Sequence, residues 1–284
     1  MKKVTKLLCL TLAMILTLFS MTACSNEEYE ADLTALQADV TVLQAELEQY
    51  SSENAEIINE LKDKLSALQT KIEETKPRGK DFEANLTALK DEATGIEDSF
   101  NALKIKEDEL KLSKVAIETN EITNYVILKV ANYGSMVIEL YPETAPITVA
   151  NFQKLVSEAF YDGLIFHRVI ENFMIQGGDP LGTGTGGSKE KIKGEFSANG
   201  IQNDLKHTNG IVSMARSQSM NSASSQFFIC QGTQQHLDGK YAAFGKVIYG
   251  IELIDEIAAV KTNSNDKPLV DVVITSIRFA TLVQ

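Results

Sequence analysis

Apolar positions along this chain keep a helical period in the front part and change to a period of two further on, and the change divides it. From Glu27 to Thr75 there is no glycine or proline, and Leu33, Leu36, Val40, Leu43, Leu47 and Tyr50 recur at steps of three and four, the stripe of an amphipathic helix. The stripe fits a heptad with Leu33, Val40 and Leu47 at a and Leu36, Leu43 and Tyr50 at d, which makes Asn54 the next a position. The frame then moves by four residues and resumes at Ile58, Leu61, Leu65, Leu68 and Ile72, a stutter that a continuous helix is expected to absorb. Pro77-Arg78-Gly79 ends the run, because proline disfavours helix in the residue before it. A second stripe comes next, at Phe82, Leu86, Leu89, Ala93, Ile96, Phe100, Leu103 and Leu110. The pattern predicts two long helices, the first of about 49 residues and on the order of 70 Å.

Near Thr123 the period drops to two. Tyr125 to Val130 and Met136 to Tyr141 alternate as strands around an Asn132-Tyr133-Gly134 turn, and Pro142 and Pro146 bracket the start of a helix reaching about Ala159. Two β-rich runs, Phe166 to Ile170 and Phe173 to Gln176, flank Glu171-Asn172 as a tight hairpin. Further short strands are expected at Ile211 to Ala215, Gln226 to Cys230, Ala243 to Val247 and Val272 to Phe279, with a helix from about Gly250 to Ala259. Many strands with two helices predict a mainly β fold, a closed antiparallel barrel capped by two helices and preceded by a helical coiled-coil stalk. The stalk is expected either to form an intrachain antiparallel hairpin or to pair between chains, with Asn54 meeting a second Asn54.

Charge belongs to the front of the chain. Of 284 residues with net charge −12, Ser25 to Thr123 holds 24 acidic against 11 basic side chains, while Asn124 to Gln284 is nearly balanced. An acidic chain with no basic stripe is a poor nucleic-acid binder, so no nucleic-acid partner is expected. Lys2, Lys3 and Lys6, the apolar run Leu7 to Phe19 and the small residues before Cys24 read as a targeting segment. That run is short for a membrane span. It resembles a bacterial lipoprotein signal, which implies removal of residues 1–23, lipidation of Cys24, and a protein held at the outer face of the cell membrane. The segments are then 1–23 signal, 24–122 stalk and 123–284 barrel. With Cys9 removed and Cys24 acylated, Cys230 is left alone.

The stretch FHRVIENFMIQGGD at Phe166 to Asp179 carries one arginine among aromatic and thioether side chains. Such an arginine is expensive unless its fork of donors is used. With GIVSMAR at Gly210 to Arg216, SQFFI at Ser225 to Ile229 and LDGKYAAFGKV at Leu237 to Val247, it resembles the cyclophilins, peptidyl-prolyl cis-trans isomerases. The resemblance implies an enzyme acting on proline-containing polypeptides without metal or cofactor. It implies Arg168 as the donor to the twisting amide, Phe173, Met174, Phe228 and Leu237 as the proline pocket, and Gln176 and Gln226 as groups that orient the peptide. Ala215 and Arg216 match the backbone beside the residue preceding proline. His236 and Tyr241 stand where other members have tryptophan and histidine, a departure that puts cyclosporin-like binding in doubt. A non-catalytic peptide-binding or assembly protein is the alternative.

Other chemistry is weakly supported. Gly182 to Gly187 matches GxGxxG, yet Ser188 to Gly194 has no apolar helical period and so offers a phosphate no helix N-terminus. His167, His207 and His236 lack metal-ligand spacing. His167 reads as a hydrogen-bonded structural histidine on the opposite face of the pleat from Arg168.

Overall fold

The computed structural model describes residues 26–48, 50, 52–75 and 82–283. Cys24 and the Pro77-Arg78-Gly79 breaker lie outside the described residues. The chain divides into two compact units, Met1–Glu107 and Asp108–Gln284, so the division falls ahead of the change of period near Thr123.

The expected 49-residue helix is two helices. Helix α1 (Asn26–Leu47) ends before a 3-10 turn at Ser52–Asn54, and α2 (Ala55–Glu74) comes after it. At 22 and 20 residues they span about 33 and 30 Å. The break falls where the heptad frame shifts. Gln44 Nε2 donates to Gln69 Oε1 at 3.2 Å and Lys62 pairs with Glu48 at 2.7 Å, so α2 runs antiparallel to α1. Helix α3 (Phe82–Ser113) returns parallel to α1, with Lys90 on Asp32 at 2.8 Å, and antiparallel to α2, with Lys71 on Glu92 at 2.7 Å. Leu36, Leu47, Leu61, Leu65, Leu68, Phe100 and Leu103 share one core. Folding back lets three stripes bury against each other within the unit. Asn54 is buried, and its amide donates to Glu107 Oε2 at 2.7 Å within its own chain.

The second unit is built on nine antiparallel strands: β1 (Ala116–Glu118), β2 (Tyr125–Val130), β3 (Gly134–Leu140), β4 (Arg168–Ile170), β5 (Met174–Gly177), β6 (Ile211–Met214), β7 (Phe227–Cys230), β8 (Ala243–Tyr249) and β9 (Ile274–Leu282). Their order is β1-β9-β2-β3-β8-β6-β7-β5-β4. The expected closure is not made by a strand ladder, because the order has two ends. Across the gap stand one bridge, Ile165 to Val273, and irregular bonds such as Phe166 N–H to Val272 carbonyl at 2.9 Å. Gly163 N–H to the Ile274 carbonyl at 2.8 Å and Ile274 N–H to the Leu164 carbonyl at 2.7 Å extend this irregular pairing ahead of β4. Strand β1, not anticipated from the pattern, pairs Ala116 with Leu282 and Glu118 with Ala280.

Helices α4 (Pro146–Ser157) and α5 (Glu252–Ala258) cover the core. Pro146 opens α4, and the buried Glu195 carboxylate accepts from the Ile147 and Thr148 N–H groups at 3.0 and 2.8 Å, satisfying donors a helix start leaves free. Phe152, Tyr161, Phe227 and Phe244 pack ring to ring at 5.1–5.7 Å beneath it.

Replacing Asn54 with alanine removes a buried amide-to-carboxylate bond, which is worth about 1.5–3 kcal/mol. Urea unfolding of the full chain, followed by far-ultraviolet circular dichroism, should show the helical transition weakened by that amount. An unchanged midpoint would show that the bond carries no stability.

Candidate active site

Pairing in the sheet sets the site. Arg168 on β4 faces Gln176 on β5, Gln176 faces Phe228 on β7, and Phe228 faces Ser213 on β6. One step along each strand, Val169, Ile175, Ile229 and Val212 form the neighbouring row, and all four belong to the core beneath α4. Because successive side chains point to opposite faces, the first row is presented on the other side. There Met174, Phe228, Cys230 and Leu237 form a second apolar cluster, with Phe173, Ala215 and Tyr241 packed against it.

Phe173 and Met174 are adjacent, yet both line the same groove. Asn172, at φ 62°, places Phe173 on the turn ahead of β5, where its N–H donates to the Ile170 carbonyl at 3.1 Å. It is therefore outside the pleat. The groove has a volume of about 290 Å³ and an apolar half formed by Phe173, Met174, Phe228, Leu237 and Tyr241. Its polar half is lined by Arg168, Gln176, His167, Thr183, Gly184, Asn265 and Arg216, while Ala215 packs with the apolar cluster.

Arg168 Nε donates to Asp266 Oδ2 at 3.3 Å, and no described residue accepts from its two Nη groups. Gln176 Nε2 donates to Gln226 Oε1 at 2.8 Å. The Gln226 amide is spent on the carbonyls of Gly184 and Gly186, at 3.0 and 2.7 Å, so Gln226 ties the glycine-rich loop to the groove. Arg216 binds backbone carbonyls of Lys240, Ser217 and Gln218, and its guanidinium lies 4.6 Å from the Tyr241 ring centroid and 5.1 Å from that of Phe196. It braces the wall. His236 lies against Phe173, ring centroids 5.5 Å apart.

The glycine-rich loop is wrapped around a carboxylate rather than open to phosphate. Burial alone would raise the Asp179 carboxyl, but backbone N–H donors from Leu181, Gly186, Gly184 and Thr183 hold it below the usual range. A Cβ on Gly186 would collide with that carboxylate.

Beneath Phe228 lies a buried chain the sequence did not reveal. His207 Nδ1 meets Asp238 Oδ1 at 3.0 Å, His207 Nε2 meets Ser213 Oγ at 3.0 Å, and the imidazole stacks on the Phe228 ring at 6.1 Å. The order resembles a hydrolytic triad, but Ser213 is fully buried and reaches no substrate. The chain supports the ring above it. Burial also raises the neighbouring Cys230 thiol, pushed up to about 12 with the Asp238 charge adding, which keeps it an inert apolar wall.

His167 departs from its expected place. It precedes β4, is buried, lines the groove beside Arg168, and neither ring nitrogen has a hydrogen-bond partner among the described residues. Nothing in its spacing marked this, since adjacency to Arg168 in a strand implied the opposite face. Asn265 and Asp266 were equally hidden, lying about a hundred residues further along the chain. Among the described residues, no group of three or more His, Cys, Asp or Glu side chains is placed to hold a metal ion.

An open-ended β-sheet thus carries a groove that joins an apolar wall to a guanidinium. The family model for cyclophilin type peptidyl-prolyl cis-trans isomerases matches residues 125–279. A peptidyl-prolyl cis-trans isomerase of Schizosaccharomyces pombe is 47% identical over 137 residues, 48% of this chain and 86% of the relative. A peptidyl-prolyl cis-trans isomerase-like protein of Emericella nidulans is 49% identical over 140 residues, 49% and 85% of the two chains. The crystal structure of a Cryptosporidium parvum cyclophilin superposes with TM-score 0.51 at 32% identity, covering 57% of this chain and 98% of that one. The chain belongs to the cyclophilin family and is a peptidyl-prolyl cis-trans isomerase.

Burial lowers both His167 and His207, opposed at each by one carboxylate, Asp179 and Asp238 respectively. Below their ordinary value of about 6.5 the unfolded chain takes up protons that the native chain resists, so stability declines as pH falls. Asp238 is itself held low, and its contribution is lost only in stronger acid. The melting temperature should fall between about pH 7 and about pH 5, with a shallower slope in His207→Gln. Parallel slopes would remove His207 from this account.

Proposed function

We propose that this isomerase assists the folding of exported proteins at the outer face of a bacterial membrane, with Arg168 as its catalytic group. The observation that carries the catalytic reading is the guanidinium lining the apolar groove, held by its Nε edge, with no acceptor for either Nη group among the described residues. Rotation about an X-Pro bond faces a barrier of roughly 18–20 kcal/mol because it costs the amide its resonance. Only interactions stronger in the twisted state lower that barrier. Phe173, Met174, Phe228 and Leu237 grip the proline ring in a dry pocket. The Nη donors meet the prolyl carbonyl and the amide nitrogen as its lone pair localises. Gln176 orients the peptide, and Ala215 and Arg216 offer backbone to the residue before proline. The structure of a Cryptosporidium parvum relative was solved in the presence of the dipeptide Ala-Pro.

Anchoring rests on the sequence alone: a basic start, a short apolar run and small residues before Cys24. A lipidated Cys24 holds the mature chain to the membrane, since two or three acyl chains bind stably where one is marginal. The helical unit is then a spacer or partner-binding arm. Mass spectrometry of the native protein should find Cys24 acylated, and Cys24→Ser should leave the precursor uncleaved. An unmodified Cys24 contradicts the anchor.

Arg168→Ala in the full chain should lower kcat/KM for a short X-Pro peptide by about 10²-fold. Its melting temperature should stay near that of the parent, because the side chain is half exposed. Near-parental turnover in this variant would refute the assignment.

A further inference from the structure

We propose that Asp266 is a positioning residue for isomerisation, acting through Arg168; the proposal rests on the reading of Arg168 as the catalytic group. The loop between α5 and β9 is built to deliver this carboxylate. Asn263 Oδ1 accepts from the N–H groups of Asn265 and Lys267 at 2.9 and 3.2 Å, and Asn263 N–H donates to the Lys267 carbonyl at 2.8 Å. Within this tight loop Asp266 takes φ 62° and donates its N–H to the Asn263 carbonyl at 3.0 Å. Its own carbonyl accepts from Val169 N–H at 2.8 Å, which docks the loop onto the outer edge of β4 next to Arg168. The carboxylate then reaches Arg168 Nε at 3.3 Å.

Glycine or asparagine satisfies that left-handed backbone as well as aspartate does. Only aspartate adds a charge on the guanidinium. Both side chains are about two-fifths exposed, 41% and 42%, so the pair contributes little to stability. Its effect is geometric. An arginine is a rigid planar fork, so fixing the Nε edge fixes the direction of both Nη groups towards the groove. A long side chain without that anchor samples many rotamers, and misplacement of a catalytic donor costs rate steeply.

The test uses the full chain and two variants that keep the backbone conformation, Asp266→Asn and Asp266→Gly. Asp266→Gly, which removes the acceptor, should lower kcat/KM for an X-Pro peptide roughly tenfold, carried by kcat with KM nearly unchanged; Asp266→Asn, whose Oδ1 still accepts from Nε, should lose less, and both should leave the melting temperature in place. The Nε–Hε resonance of Arg168 should shift or broaden in both variants, which a loop with a merely structural role would not cause. If Arg168→Ala abolishes turnover while both Asp266 variants stay within twofold of the parent, or the resonance is unmoved, Asp266 has no positioning role. If Arg168→Ala retains turnover, the reading of Arg168 fails and this inference goes with it.

Discussion

The register that sets Arg168 against Gln176 and Gln176 against Phe228 is the constraint on which the groove depends. A slip of one residue would send these side chains into the core beneath α4 and bring Val169, Ile175 and Ile229 out onto the groove face. Burial of the second row therefore fixes the first. Stabilisation of the fold and placement of the site are the same physical fact seen from the two faces of one sheet.

A second layer holds that row in its working shape. His207, pinned between Asp238 and Ser213, stacks under Phe228, and Arg216 braces Tyr241 at 4.6 Å. Asp179 and Gln226 draw the glycine-rich loop against Gln176. These polar groups are largely satisfied by one another, so they rigidify the groove without competing for a peptide. The exception is His167, whose ring nitrogens have no partner among the described residues although the ring is 5% exposed. It faces the polar half of the groove beside Arg168.

Much of this was legible in the sequence because it is local. Alternation marked β2 and β3, β-rich runs around Glu171-Asn172 marked β4 and β5, Pro146 marked the start of α4, and the FHR and SQFFI segments placed Arg168 and Phe228. The hidden parts depend on partners far along the chain. Strand β1 exists through Leu282 and Ala280, and its three residues come after a helical stripe that gives no sign of a strand. The stripe was right about most of the buried residues, including Leu61, Leu65 and Leu68, with Leu43 and Tyr50 only partly buried, and wrong about continuity. The same stripe serves one long helix or two that fold back, and a contact between Asn54 and Glu107, 53 residues apart, is invisible to periodicity. Asp266 lies 98 residues from Arg168, so no spacing rule could have joined them.

The central claim is that the outward row grips a proline ring with its apolar half and presents Arg168 to the adjoining amide. A crystal structure of the full chain with a short X-Pro peptide tests it most directly. The proline ring should lie against Phe173, Met174, Phe228 and Leu237, with the prolyl carbonyl within hydrogen-bonding distance of an Arg168 Nη. A peptide bound with its proline outside that wall, or with the carbonyl turned away from Arg168, would contradict it.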